Sequence, residues 1–182
     1  MSALHLSVLV IWLAFWLYWL AAALRSKPTE RTYRRGRGAI ARLFAAGAVL
    51  IGLHFAGAGT AVHSPVVIAA GLCLLVAGLS FAIWARTGLG SNWGMPMTRR
   101  VEPELVTIGP YRWVRHPIYS GILLGVVGTA LALDLNALLI AAVMAVYFLY
   151  AARAEERTMG EAFPASYPAY RARTKMLVPF VI

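Results

Sequence analysis

The 182-residue chain is 60% hydrophobic and 13% charged, whereas a soluble domain is about half apolar and about a quarter charged. This composition excludes a disordered chain, a fibrous repeat and an ordinary water-soluble enzyme, and it predicts an integral membrane protein. In a soluble protein the net charge of +10 would indicate nucleic-acid binding. Here the basic residues lie in loops beside apolar spans, so we expect membrane lipids and no nucleic acid as partners.

Three apolar runs are long enough for transmembrane helices, because about 20 helical residues cross the hydrocarbon core. They are Leu4–Leu24, Ala39–Thr60 and Ser64–Ala85. The first run lacks a basic segment before it and is too long for a signal peptide, so we expect it to stay in the mature protein.

Two shorter apolar runs follow, Ile118–Leu133 and Leu135–Ala152. Asp134 and Asn136 lie between them and suit a tight turn. We interpret the two runs as a helical hairpin. The predicted fold is therefore an all-α integral membrane protein with five transmembrane helices.

The positions of Lys and Arg predict how these helices are oriented. With the N-terminus outside, five crossings place all 17 basic residues on the cytoplasmic side. This is the distribution that the positive-inside rule describes, and it predicts a cytoplasmic C-terminus. A re-entrant last hairpin would keep both of its ends on the same side, so charge does not distinguish that alternative.

Small residues recur on two of the predicted helices. Gly121, Gly125 and Thr129 are spaced every four residues, and Gly71 and Gly78 lie on the third apolar run. Such positions let helix backbones approach closely in lipid. Helix packing is the favoured interpretation, and room for a ligand against the backbone is the alternative.

Polar residues that are not simple loop charge are concentrated in 89–120 and 153–182, which the predicted hairpin brings to one cytoplasmic surface. Pro117 suits the first turn of a helix, which places His116 near its N-cap. The N–H groups from Ile118 to Gly121 would then face an anionic ligand. The alternative is that His116 only caps the helix while neighbouring arginines reach lipid phosphates.

Glu155 and Glu156 lie at the cytoplasmic end of the fifth predicted span, where acids oppose the helix dipole. A salt bridge is one explanation, with partners among Arg153, Arg157, Arg112 and Arg115. A carboxylate that binds a ribose diol or a cationic ligand is the other. Tyr167, Tyr170 and Arg171 form a short amphipathic stretch. We expect residues 176–180 to return to the membrane surface and to cover a ligand.

No known metal motif is present. The four histidines are scattered and the single cysteine, Cys73, lies inside an apolar run, so we expect neither a disulfide nor a metal.

Together the two polar segments resemble the isoprenylcysteine carboxyl methyltransferase family and its bacterial relatives, within the wider group that includes phospholipid methyltransferases. An Arg-His-Pro element before a hairpin and a Glu-Glu element after it form a fairly specific combination. The matching residues are Leu105–Tyr111, Arg115–Gly121, Glu155–Arg157, Phe163–Tyr167, Tyr170, Arg171 and Pro179–Phe180.

The resemblance implies a membrane methyltransferase of bacterial inner-membrane type, with a cytosolic site for S-adenosylmethionine. The residues that it implies for cofactor binding are Leu105, Val106, Tyr111, His116, Pro117, Ile118, Tyr119 and Glu155. Eukaryotic members carry a substrate-side arginine one turn before the Glu pair. Here that position is Ala151 and Arg153 is nearby, so the expected catalytic residues are Glu156 and Arg153.

The predicted organisation is one membrane domain over 1–182, with two N-terminal helices in 1–60 and the methyltransferase core in 61–182. The expected substrate is a lipophilic small molecule, with a carboxylate as in isoprenylcysteine methyl esterification among the open acceptors. Two alternatives stay open: an NADPH-dependent membrane reductase of sterol-reductase type, and a non-enzymatic membrane scaffold. Arg99 and Arg100 are available to bind a 2′-phosphate in the first, although the Glu pair would repel it.

Overall fold

The structure is a computed structural model that describes residues 2–24, 29–32, 60–93, 98–100 and 104–178. Its elements in chain order are helix α1 (Ala3–Ala23), strand β1 (Thr29–Thr32), helix α2 (Pro65–Leu89) with a 3-10 turn (Gly90–Asn92), strand β2 (Thr98–Arg100), a second 3-10 turn (Gly109–Arg112), and helices α3 (Pro117–Ala132), α4 (Ala137–Ala162) and α5 (Tyr167–Arg173).

The apolar helices are those of an integral membrane protein. In the described part of the chain, Ala3–Ala23, Pro65–Asn92 and Ala137–Ala162 are long and apolar enough to cross a membrane, and Pro117–Ala132 is apolar but shorter. Large apolar side chains such as Leu17 and Leu20 are exposed on α1, as expected of a lipid-facing surface. Most of the predicted second span, Ala39–Thr60, lies outside the described residues.

Helices α2 and α3 form the central pair, and glycines set their separation. A Cβ atom on Gly121 would lie 2.5 Å from the carbonyl oxygen of Gly78, and one on Gly71 would lie 2.7 Å from that of Gly128. The two backbones are therefore in direct contact, which only glycine permits at these positions. The small residues serve helix packing, as the favoured interpretation predicted.

Helix α1 packs against this pair through aromatic residues. Trp12 donates its indole N–H to Thr129 Oγ1 at 3.0 Å, which satisfies a polar group that would otherwise face hydrocarbon. The ring of Trp19 meets that of Trp93 edge-on, with their centroids 5.6 Å apart. Thr129, the last of the small residues that recur every four positions on α3, therefore contacts α1 through Trp12.

The turn between α3 and α4 is tight, as predicted, and it packs against the segment before α2. Asn136 donates its backbone N–H to Asp134 Oδ1 at 2.8 Å. Thr60 Oγ1 also donates to Asp134 Oδ1, at 2.9 Å, and Val62 N–H donates to the carbonyl oxygen of Leu133 at 3.1 Å. The segment before α2, which carries no charged residue, and the hairpin turn therefore meet at one end of the helices.

The predicted all-α fold is confirmed for the membrane helices, and the described residues add one short two-stranded ribbon. Strands β1 and β2 pair antiparallel, with Thr29 opposite Arg100 and Thr32 opposite Thr98. This ribbon joins two of the basic loops that the charge pattern assigned to one side. The pairing was missed because strands of four and three residues carry no usable periodicity.

Helix α4 is longer than predicted, and this overturns one argument about the Glu pair. The predicted span ended at Ala152, where the apolar run stops, but α4 continues to Ala162. Residues 153–162 are mostly good helix formers, so the helix persists beyond its apolar part. Glu155 and Glu156 consequently lie within the helix and do not oppose its terminal dipole.

Candidate functional site

The two polar segments that the sequence singled out pair along the chain. Residues Val114 and Lys175 form a parallel β-bridge. Arg115 N–H donates to the Lys175 carbonyl oxygen at 2.8 Å, and His116 N–H donates to that of Met176 at 3.1 Å. The tail is thereby fixed across the start of α3, and the predicted convergence of the two segments is confirmed.

Glu156 lies at the centre of a buried ionic cluster. Its Oε1 atom accepts a hydrogen bond from Arg115 Nε at 2.6 Å, and both side chains are less than a tenth exposed. Arg171 Nε lies 3.5 Å from Oε2, and His116 Nε2 lies 3.7 Å from Oε1. A carboxylate so buried stays ionised only with such partners, which makes Glu156 a residue that holds the site together.

Glu155 connects α4 to the first turn of α3. Tyr119 donates its hydroxyl hydrogen to Glu155 Oε1 at 2.6 Å, and His116 Nδ1 lies 3.4 Å from Oε2. The Glu155 side chain is 24% exposed, so its carboxylate borders the outside of the cluster. It is the more exposed carboxylate of the pair.

Three parallel rings fix the orientation of His116. The imidazole lies 5.5 Å from the Tyr119 ring, which in turn lies 4.4 Å from the Phe148 ring, each pair within 4° of parallel. Phe148 belongs to α4 and is buried. The stack therefore ties the histidine to the same helix that carries Glu155.

The cluster favours the protonated form of His116. Burial lowers the pKa of the imidazole, but Glu155 and Glu156 together outweigh burial and raise that pKa above its usual value. The Nε2 atom is buried and makes no hydrogen bond with the described part of the chain. The two carboxylates therefore bias His116 toward its charged form.

The expected cofactor-contacting loop lies beside this cluster. Tyr170 on α5 donates its hydroxyl hydrogen to the Tyr111 carbonyl oxygen at 2.7 Å, and both tyrosines are buried. Burial raises the pKa of Tyr170 to about 12. Leu105 and Val106 are half-buried, and Val106 packs against the apolar core. The loop is thus held between α5 and the helices.

The helix start at Pro117 offers fewer free donors than expected. Ser120 N–H donates to the His116 carbonyl oxygen at 3.2 Å, so the row of free N–H groups from Ile118 to Gly121 is shorter than predicted. Pro117 and Ile118 are buried, and the tail carbonyls of Met176 and Leu177 face this end of the helix. These carbonyl oxygens would repel an anion there.

Arg153 is the expected site residue that the structure does not bring to the cluster. Its side chain is exposed on α4, and it makes no hydrogen bond or ion pair within the described residues. Its expected catalytic role stays a prediction without support from the geometry.

Arg115 is the functional residue that the sequence underestimated. It appeared only as one of four possible salt-bridge partners, whereas its guanidinium also donates to the carbonyl oxygens of Thr174 and of Arg171, the latter at 3.3 Å. One side chain therefore joins α4 to the tail. Its place in the Arg-His-Pro element was the available signal.

Comparisons with known proteins identify relatives of this chain. The family model described as phospholipid methyltransferase matches residues 66–166. Protein-S-isoprenylcysteine O-methyltransferase B of Arabidopsis thaliana is 36% identical over 85 residues, which is 46% of this chain and 43% of that protein. The cobalt-zinc-cadmium resistance protein CzcN of Cupriavidus metallidurans is 36% identical over 96 residues, 50% of this chain and 43% of that protein.

Among solved structures, the eukaryotic intramembrane Ras methyltransferase ICMT (isoprenylcysteine carboxyl methyltransferase) is similar with a TM-score of 0.54 and 28% identity, over 63% of this chain and 43% of that one. The chain spans less than half the length of the curated relatives it matches. The matched residues hold both the Arg-His-Pro and the Glu-Glu elements. The chain belongs to the phospholipid methyltransferase family, in the group that includes the isoprenylcysteine carboxyl methyltransferases.

Proposed function

We propose that the chain is a membrane-embedded, S-adenosylmethionine-dependent methyltransferase that acts on a lipophilic acceptor. The observation that carries the proposal is the Glu155 carboxylate, which is partly exposed and is oriented by His116 and Tyr119. Family membership supports the reaction class. No observation favours the reductase or the scaffold.

The residues present suit this cofactor. When bound, S-adenosylmethionine supplies an electrophilic methyl group on a positively charged sulfonium. Glu155 offers a negative charge, Tyr111 an aromatic ring, and Leu105 and Val106 apolar surface, which together match a cation that carries an adenosine. Pro117 and Ile118 follow His116 in the chain and are buried, and Glu156 Oε1 lies 3.7 Å from His116 Nε2.

The state of the cluster favours an acceptor that is already ionised. A thiol or an amine must lose a proton, and the two groups suited to take it are His116 and Glu156. Burial lowers the pKa of His116, but the two glutamates raise it more strongly. Glu156 is paired with Arg115 at 2.6 Å. The charged form of His116 and the ionised form of Glu156 are both favoured, which works against proton uptake by either group. A carboxylate acceptor requires no such step.

We also propose five membrane crossings with the N-terminus outside and the site facing the cytoplasm, in a membrane of bacterial inner-membrane type. The basic ribbon and the contact between Thr60 and Asp134 support this. The ribbon joins loops that carry several arginines, whereas Thr60 and Asp134 lie in loops without Lys or Arg. A water-soluble donor then enters from the cytosol, and an apolar acceptor enters from the lipid. The positioning of the two ligands contributes several kcal/mol to catalysis.

Calorimetry with S-adenosylhomocysteine in phosphatidylcholine nanodiscs tests donor binding. We expect the wild type to bind and Glu155→Gln to bind at least tenfold more weakly, because the variant removes the charge that faces the sulfur. Glu161→Gln is the matched control, since Glu161 is exposed on the same helix. Equal affinities of both variants would refute the role of Glu155, and no binding by any form would refute the proposed function.

A further inference from the structure

A recess lies beside the ionic cluster, between the last turns of α4 and helix α5. Its volume is about 580 Å³, and it is lined by Glu156, Arg157, Gly160, Tyr167, Pro168, Arg171 and Ala172. Small-molecule pockets are typically about 300–1,000 Å³. Glu156 of the ionic cluster forms one wall, and none of the residues expected to bind the cofactor lines the recess, so it is a separate space beside that site.

The charges around the recess are predominantly positive. Arg157 makes no ion pair within the described part of the chain, and Arg171, 62% exposed, lies 3.5 Å from Glu156. The Glu156 carboxylate is neutralised from behind by Arg115 at 2.6 Å. A group in the recess therefore meets two guanidinium groups and one carboxylate whose charge is already balanced.

One buried polar side chain also points to a ligand. Tyr167 is 5% exposed and lines the recess, yet its hydroxyl makes no hydrogen bond with the described residues. This hydroxyl is therefore available to donate a hydrogen bond to a group in the recess. A donor beside two guanidinium groups matches an oxyanion, to which arginine binds in bidentate fashion.

Gly160 keeps the recess open. A Cβ atom at Gly160 would meet no other atom within 4 Å, so neither packing nor a close backbone approach requires glycine here. Glycine in a helix costs about 0.5–1 kcal/mol relative to alanine. A side chain at position 160 would instead fill part of the recess that Gly160 and Arg157 line.

We propose that this recess, the α4–α5 recess, binds a phosphate or carboxylate group through Arg157, Arg171 and Tyr167. The group is supplied either by an anionic lipid headgroup at the membrane surface or by a small water-soluble anion. The inference goes beyond the proposed methyl transfer and does not require it.

The full chain in phosphatidylcholine nanodiscs is titrated with inorganic phosphate at constant ionic strength, and its unfolding midpoint is followed. In a second arm, the nanodiscs contain dioleoylphosphatidic acid. We expect saturable stabilisation in at least one arm. Arg157→Gln and Tyr167→Phe weaken the apparent affinity at least fivefold. Arg173→Gln, which removes a charge from α5 outside the recess, changes it less than twofold.

Gly160→Leu separates the proposal from a folding defect. We expect it to unfold at the same or a higher temperature than the wild type without ligand, because leucine favours the helix, and to lose the anion effect completely. Stabilisation only by phosphatidic acid supports a lipid headgroup, and stabilisation by phosphate supports a soluble anion.

No stabilisation in either arm, an equal loss in Arg173→Gln, or full retention in Gly160→Leu would overturn the proposal. Neither arm contains a methyl donor. Binding of S-adenosylhomocysteine without an anion effect therefore contradicts only the α4–α5 recess, and the reverse contradicts only the methyltransferase.

Discussion

Replacing Arg115 with methionine should destabilise the protein by leaving a buried charge without its main partner. The Arg115 and Glu156 side chains are 8% and 6% exposed. Breaking a buried pair by removing one member costs about 3–5 kcal/mol. Arg171 remains 3.5 Å from Glu156 but is 62% exposed, and an exposed pair recovers less than about 1 kcal/mol. We therefore expect a loss of about 3 kcal/mol.

Thermal unfolding in nanodiscs measures this loss. For a chain of this length, about 3 kcal/mol corresponds to a midpoint lower by about 6–12 °C. Arg112→Met is the matched control, because Arg112 is exposed and contacts only the Trp113 ring at 4.2 Å among the described residues. We expect it to cost less than about 1 kcal/mol.

The double variant Arg115→Met/Glu156→Met tests whether the loss comes from the uncompensated charge. An apolar pair of similar size should recover most of the stability. If Arg115→Met stays within about 1 kcal/mol of the wild type, or if the effects of the two substitutions simply add, the buried pair does not hold the site together.

Two further predictions concern packing and protonation. Gly121→Ala should lower the free energy of unfolding by about 1–3 kcal/mol, because its Cβ would lie 2.5 Å from the Gly78 carbonyl oxygen. Gly88→Ala is the control and should be neutral, because its Cβ would lie 3.9 Å from Tyr111. Equal losses of stability in the two variants would contradict the close contact of the helices. Burial lowers the pKa of His116, but Glu155 and Glu156 more strongly raise it. The contribution of protonated His116 to the stability of the fold should therefore be complete below about pH 6.5 and be lost as the pH rises through the pKa of His116 in the folded protein. The groups that face the His116 imidazole are Arg115, Glu155, Glu156 and Tyr119. A pH titration followed by nuclear magnetic resonance should give a His116 pKa above 6.5, and a pKa at or below 6.5 would refute this.

The apolar helices were predictable from the sequence because uninterrupted apolar runs have few alternatives in a membrane protein. The start of α3 was found within one residue, since Pro117 fixes the first turn. The end of α4 was missed by ten residues, because the end of an apolar run marks where the membrane ends and not where the helix ends. The contacts between Gly121 and Gly78 were foreseeable as a type of packing, but their pairing depends on the register of two helices.

Within the site, the meeting of His116 with the Glu pair followed from topology, but the roles of the two glutamates did not. Adjacent helical residues point about 100° apart, and only the packing of α4 decides which one faces Arg115. The sequence suggested Arg153 because it is close to Glu155 along the chain. The helix places Arg153 on an exposed face, which proximity in sequence does not reveal.

Transfer of a methyl group to a lipophilic acceptor is the reaction proposed for this chain. The most direct measurement is mass spectrometry of membrane lipid extracts after the purified protein is incubated with S-adenosylmethionine that carries an isotopically labelled methyl group. The account predicts a labelled lipophilic product as a methyl ester, made by the wild type and by Glu161→Gln and strongly reduced in Glu155→Gln. Absence of any labelled product with the wild type, or undiminished labelling with Glu155→Gln, would contradict it.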